Sequence, residues 1–262
     1  MTKHHPFIKS IFYAGYVFLY LPLVLIVVAS FNASPLIKWH GFSLKWYRDL
    51  CQNTHLIQAT WTSLKIAFLS ATLSVIIATI CSTVTNHSTR IKINIVATFP
   101  LLVPEVVMGL SSLFLFVELK KWGWMDSHFF MVVAAHTTLG AAYATEIIQT
   151  SLHNIDPSIK EASLNLGASR TKTLFLITLP LIFPSIMSSW MIAFLLSFDD
   201  VILSTFTSGP GITTLPMLIF SNIKLGQTPQ INALATCIIF LTAPIILVMS
   251  YLYKKSNKKL YT

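Results

Sequence analysis

Charge is what this sequence has least of. Asp, Glu, Lys and Arg make up 10% of its 262 residues, against about 25% in a typical soluble domain. With 54% hydrophobic residues and a mean hydropathy of +0.70, that scarcity excludes both an ordinary cytosolic globule and a disordered chain. Cysteine is equally scarce. Cys51, Cys81 and Cys237 form an odd set with no CxxC pair, so neither a disulfide framework nor a metal site is indicated. Cys81 and Cys237 lie in apolar runs and read as small packing residues. No GxxxxGK[ST] phosphate loop occurs, which excludes an ATP site in this chain. No GxSxG elbow suggests a hydrolase, and the eight histidines contain no HxxxH pair. His136, inside an apolar run, reads as buried packing or as one side of a hydrogen bond.

What is present is long apolar blocks. A membrane span needs about 20 mostly apolar residues, and six stretches qualify: 11–31, 61–84, 93–117, 129–149, 174–198 and 231–253. The third is interrupted by Pro100, Pro104 and Glu105, and the fifth holds Pro180 and Pro184. The sequence therefore predicts an all-α integral membrane protein with six transmembrane helices in one domain covering 1–262. The net charge of +9 fits the basic cytoplasmic ends of membrane proteins. No basic stretch is interleaved with aromatics as a nucleic-acid groove requires, so no nucleic-acid partner is expected. With the N-terminus inside, eleven of the 18 Lys and Arg fall on the inner side and seven on the outer. Both termini are thus expected to be cytoplasmic. The N-terminus looks like a secretory signal, but its apolar run is long and Ser30-Phe31-Asn32 is a poor cleavage site. A retained first helix is expected.

Two connecting segments exceed simple turns. Residues 32–60 are rich in aromatics, including Trp39, Trp46 and Tyr47, which suits an interfacial helix. Residues 150–173 are polar and helix-forming, and Asp156-Pro157 is a helix start, with Asp capping and Pro at the first position.

That second segment reads Glu161-Ala162-Ser163, three residues, Gly167-Ala168-Ser169, and then Ile177-Thr178-Leu179-Pro180. Small residues allow a close approach, Glu161 offers a carboxylate, Gly167 permits a sharp turn, and Pro180 marks entry to the next span. The spacing resembles the EAA loop of permease subunits in binding-protein-dependent ABC importers, with Ser163 where a second Ala is commoner. Further blocks resemble the polyamine branch of that family: Gly41-Phe42 with Lys45-Trp46-Tyr47, Pro104-Glu105-Val106-Val107-Met108, Ser197-Phe198-Asp199-Asp200-Val201, Gly209-Pro210 and Asn232-Ala233-Leu234-Ala235-Thr236. The resemblance implies a type I importer permease fold in the cell inner membrane. It also implies a coupling loop at 156–173, in which Glu161, Ala162, Ser163, Gly167, Ala168 and Ser169 meet a cytoplasmic ATPase. The implied partners are a second, similar permease, two copies of that ATPase and an external polyamine-binding protein. ATP and Mg would be bound by the ATPase, with no cofactor and no metal in this chain, a subunit without catalytic residues.

The expected substrate path runs past Glu105, Ser197, Asp199, Asp200 and Trp46. A charged carboxylate near the bilayer centre costs roughly 2.5–3.5 kcal/mol on insertion scales. No Lys or Arg lies within a few residues of these three to neutralise them. An ammonium about 4 Å away would recover on the order of 4 kcal/mol at an effective dielectric near 20. Other readings stand beside this one. The Asp pair can cap the end of the fifth helix, Glu105 can be protonated or bond backbone freed by proline, and Trp46 can be an interfacial belt residue. A permease for another small solute, or a cation transporter independent of ATP, are the alternative functions.

Overall fold

A run without charge or water must close its backbone hydrogen bonds within itself, so in a membrane it becomes a helix. The computed structural model describes residues 6–34, 38–84, 95–124, 126–225 and 230–240. Among these there is no extended strand, only a single antiparallel bridge between Asn32 and Phe42. The helices are numbered here in chain order: α1 Pro6–Ser30, α2 Lys45–Gln52, α3 Thr54–Val84, α4 Ile95–Leu102, α5 Glu105–Lys121, α6 His128–His153, α7 Pro157–Asn165, α8 Arg170–Asp199, α9 Ile202–Thr207, α10 Leu215–Leu225 and α11 Gln230–Phe240.

Four of them are long and apolar enough to cross a membrane, in α1, α3, α6 and α8. The bent pair α4 and α5, whose axes meet at 115°, supplies a fifth if its two halves make one span. The third span, expected to be interrupted at Pro100, Pro104 and Glu105, is broken between Leu102 and Glu105. Val103, which precedes Pro104, is extended at φ −92 and ψ 130, as the proline ring demands of its neighbour. Pro104 then opens α5, its carbonyl accepting from the Val107 and Met108 amides. Residues 85–94, which include the start of that expected span, lie outside the described residues. So do 241–253, the second half of the sixth expected span, and the basic tail 254–259.

The fifth expected span, 174–198, lies within one helix that begins at Arg170 and runs for 30 residues to Asp199. One turn of it, Leu174–Thr178, is wound as a π-helix. Pro180 follows with no N–H to give the carbonyl of Leu176, and a wider turn is a common remedy. Polar Arg170-Thr171-Lys172, in the segment read as helix-forming, makes the first turn of α8.

The chain forms two compact units, residues 1–57 with 221–262, and Gln58–Phe220. In the first, the apolar stretch of α1 is not buried by the rest of the chain. Beyond its end the chain is knotted around Asn32, whose side chain donates to the Lys38 carbonyl (3.0 Å) and accepts from the His40 amide (3.0 Å). Phe31 stacks on Phe42 with centroids 5.2 Å apart. Helix α2 follows in the aromatic segment where a helix is expected.

In the second unit α6 is the centre, with most of its apolar stretch buried. It packs along α8 and meets α3 through small side chains, the usual means of close contact between membrane helices. A Cβ on Gly140 would lie 2.5 Å from Ser74 Oγ on α3 and 3.3 Å from the Ala193 methyl on α8. Ser74 donates to the Thr137 carbonyl at 3.0 Å. Val75, Ala78, Ala144, Ile148 and Ile182 close the core below this crossing. Gly109 of α5 lies against the Phe206 ring, which docks α5 on α9.

Candidate functional site

The loop between α6 and α8 is assembled by local capping rules. The Asp156 carboxylate accepts from the Ser158 amide at 2.9 Å, with Pro157 at the first helical position. This hydrogen bond, first from the Ser158 backbone and then from its side chain, holds the Asp156 carboxyl below the usual carboxylate range. Helix α7 ends in the left-handed residue Gly167 (φ +84). The Ala168 amide bonds the Ser163 carbonyl and the Gly167 amide that of Leu164, the paired closure of a Schellman turn. Ser169 caps the next helix, its hydroxyl accepting from the Lys172 amide at 3.3 Å.

The six expected coupling residues divide between two sides of this loop. Glu161, Ala162, Gly167 and Ser169 are exposed, and Ala168 is half-buried. Ser163 is turned inward, 2.9 Å from Thr173 Oγ1 on the first turn of α8, so that within this chain its small size lets α7 lie on α8. The exposed side carries Leu166, the most exposed apolar side chain of the loop at 88%.

The expected path residues are separated. Glu105 stands exposed in the first turn of α5, where the positive end of the helix dipole favours an anion. Asp199, the last residue of α8, is exposed, while the side chain of Asp200 is 7% exposed. Asp200 caps α9 by accepting from the Leu203 and Ser204 amides at 3.3 and 2.8 Å. Its Oδ2 is 3.3 Å from His136 Nε2. Ser197 is buried and lies 2.7 Å from His136 Nδ1 and 2.9 Å from Ser70 Oγ. Trp46, in the other unit, is half-buried. Its indole donates to the Asn32 carbonyl at 2.7 Å, and Lys45 Nζ sits 5.3 Å from its ring centroid.

Sequence reasoning did not single out Ser70 and Ser204, and it read His136 as buried packing or one side of a hydrogen bond without a role in the site. The available signal was the expense of a lone imidazole in an apolar span, which has to be met by partners. The aromatic ladder Trp190, Phe194 and Phe198, stacked at 5.3 and 5.9 Å along α8, leads up to Asp199. A groove of about 600 Å³ lies beside it, lined by Trp61, Leu64, Phe68, Leu69, Phe129 and Phe194 with Lys65. Its wall is apolar and its only charge is positive, which suits no cation.

The family model for the binding-protein-dependent transport system inner membrane component matches residues 70–261. The chain belongs to this family. Among the family's members, the chain is 40% identical over 252 residues to the putrescine transport system permease protein PotI of Escherichia coli strain K12, covering 94% of this chain and 90% of that one. It is 34% identical over 257 residues to the spermidine/putrescine transport system permease protein PotC of Haemophilus influenzae, covering 96% and 98%. A solved bacterial alginate ABC transporter shares the inner membrane component's fold, with a TM-score of 0.72 at 17% identity, covering 93% of this chain and 90% of that one.

Proposed function

We propose that this inner membrane component is one of the two permease subunits of an ATP-driven polyamine importer, with putrescine as its first cargo. The observation that carries the reading is 40% identity over nearly the whole chain to a putrescine permease. The spermidine/putrescine permease follows at 34%. The chain binds no nucleotide and catalyses nothing itself. A partner ATPase binds ATP and Mg, and an external polyamine-binding protein delivers the cargo.

In this reading the knob formed by Glu161, Ala162, Gly167, Ala168, Ser169 and Leu166 docks on the ATPase at the cytoplasmic face. Helix α8 starts at that knob and ends at Asp199, so a push on the loop is carried along one helix of about 45 Å at 1.5 Å per residue. The exposed carboxylates Glu105 and Asp199 attract the cation, with Phe198, the neighbour of Asp199, available for cation–π contact. Alternating access requires the cargo to bind one state better than the other, and exposed carboxylates supply that difference.

The test is ATP-dependent uptake of labelled putrescine and spermidine by the complete transporter in proteoliposomes. Saturable putrescine uptake that needs ATP and the binding protein is expected, with Glu105→Gln lowering it severalfold in an assembled complex. Uptake that continues without ATP, or no polyamine uptake at all, overturns the reading.

A further inference from the structure

Asp199 and Asp200 are neighbours in sequence and part company in space, one exposed and one enclosed. The enclosed carboxylate accepts two amides of α9 and faces His136 Nε2 at 3.3 Å. An ionised carboxylate only accepts, so Nε2 carries the proton and Nδ1 is the acceptor. Nδ1 then takes the Ser197 proton across 2.7 Å. Ser197 Oγ in turn lies 2.9 Å from Ser70 Oγ. Four elements, α3, α6, α8 and α9, are thereby joined through one imidazole. The cavity beside it, bounded by Leu139, Gly140, Leu196 and Leu203, is about 10 Å³, the lower limit for a single water. No polyamine fits there.

We propose that His136 is a positioning residue, a clamp that fixes Asp200 and so pins the far end of α8 to α6, leaving Asp199 alone of the pair to meet the cargo. The proposal rests on the importer reading for its second half. Its first half is a statement about this chain only. A lever transmits a push only if its far end is held in register, and the clamp sits at the joint where α8 stops and α9 begins.

The experiment uses the whole transporter in proteoliposomes with labelled putrescine. Asp199→Asn is expected to raise KM about tenfold or more, the loss of one charged contact. Asp200→Asn keeps an acceptor for the α9 amides and is expected to leave KM within about threefold while lowering kcat. His136→Leu is expected to lower kcat without moving KM. His136→Gln, which keeps a donor towards Asp200, is expected to recover most of it. An Asp200→Asn effect on KM equal to that of Asp199→Asn overturns the clamp and leaves the importer reading standing. So does a His136→Gln as poor as His136→Leu. Thermal midpoints of the purified complex decide the clamp without any cargo. The shifts of His136→Leu and Asp200→Asn are expected to be less than additive in the double variant. Simple addition overturns the clamp even if the wild type carries no polyamine, an outcome that by itself overturns the importer.

Discussion

The seam around His136 and the loop around Gly167 hold similar polar residues, serines, threonines and a carboxylate among them, and treat them in opposite ways. In the seam, Ser70, His136, Ser197, Asp200 and Ser204 are turned on one another, with each distance between 2.7 and 3.3 Å. In the loop, Glu161, Lys172 and Arg170 are exposed, and only Ser163 with Thr173 is turned inward. A polar group inside a membrane must be satisfied by its own chain, whereas a polar group at the surface is free to be satisfied by a partner. The difference separates polarity that builds the subunit from polarity that connects it.

The sharpest way to break this comparison is at Gly140, where seam and core meet. A side chain there would collide with Ser74 and with the Ala193 methyl. Gly140→Val is expected to cost about 1–3 kcal/mol, the usual range for overpacking, and to lower the thermal midpoint and the yield of assembled complex together. A midpoint equal to wild type would mean that α3 and α6 can part without loss, and the seam would cease to be structural.

Much of the molecule that carries this contrast was readable from residues alone. The spans at α1, α3, α6 and α8 follow from uncharged length, and Asp156-Pro157 and Gly167 sit where capping and left-handed turns require them. The prolines at 100 and 104 mark the break in the third span, but its 115° angle depends on what α5 packs against, Phe206 included. The division between Asp199 and Asp200 was not readable. His136 is 61 residues from Ser197, and Ser70 is 127 from it, so their meeting depends on how three helices are rotated about their axes.

A smaller effect on stability is expected from the loop. Glu161→Lys reverses a charge at an exposed position where no fold contact is lost, so the thermal midpoint is expected to stay within the about ±0.5 kcal/mol typical of surface changes. Uptake is expected to fall at least severalfold, with the ATPase no longer retained on copurification. If the midpoint falls as far as it does for Gly140→Val, the loop is holding the fold and the contrast with the seam dissolves.

The smallest effect is expected at Asp156, whose carboxylate serves the loop's own helix and nothing deeper. Its folded pKa lies below the unfolded value because the Ser158 amide and hydroxyl bond the charged form. A group depressed in this way contributes stability that is present above the unfolded pKa, near 3.9, and is lost as pH falls through the folded value. Asp156→Asn keeps a capping oxygen but has no proton to take up. Wild type and Asp156→Asn are therefore expected to differ little at low pH, and the advantage of the charged wild type is expected to grow as pH rises past 4. Thermal midpoints of the assembled complex taken between pH 3 and pH 7 decide the matter. A gap that widens as the pH falls would give the opposite sign and would mean that the charged carboxylate is a burden on α7, not its cap.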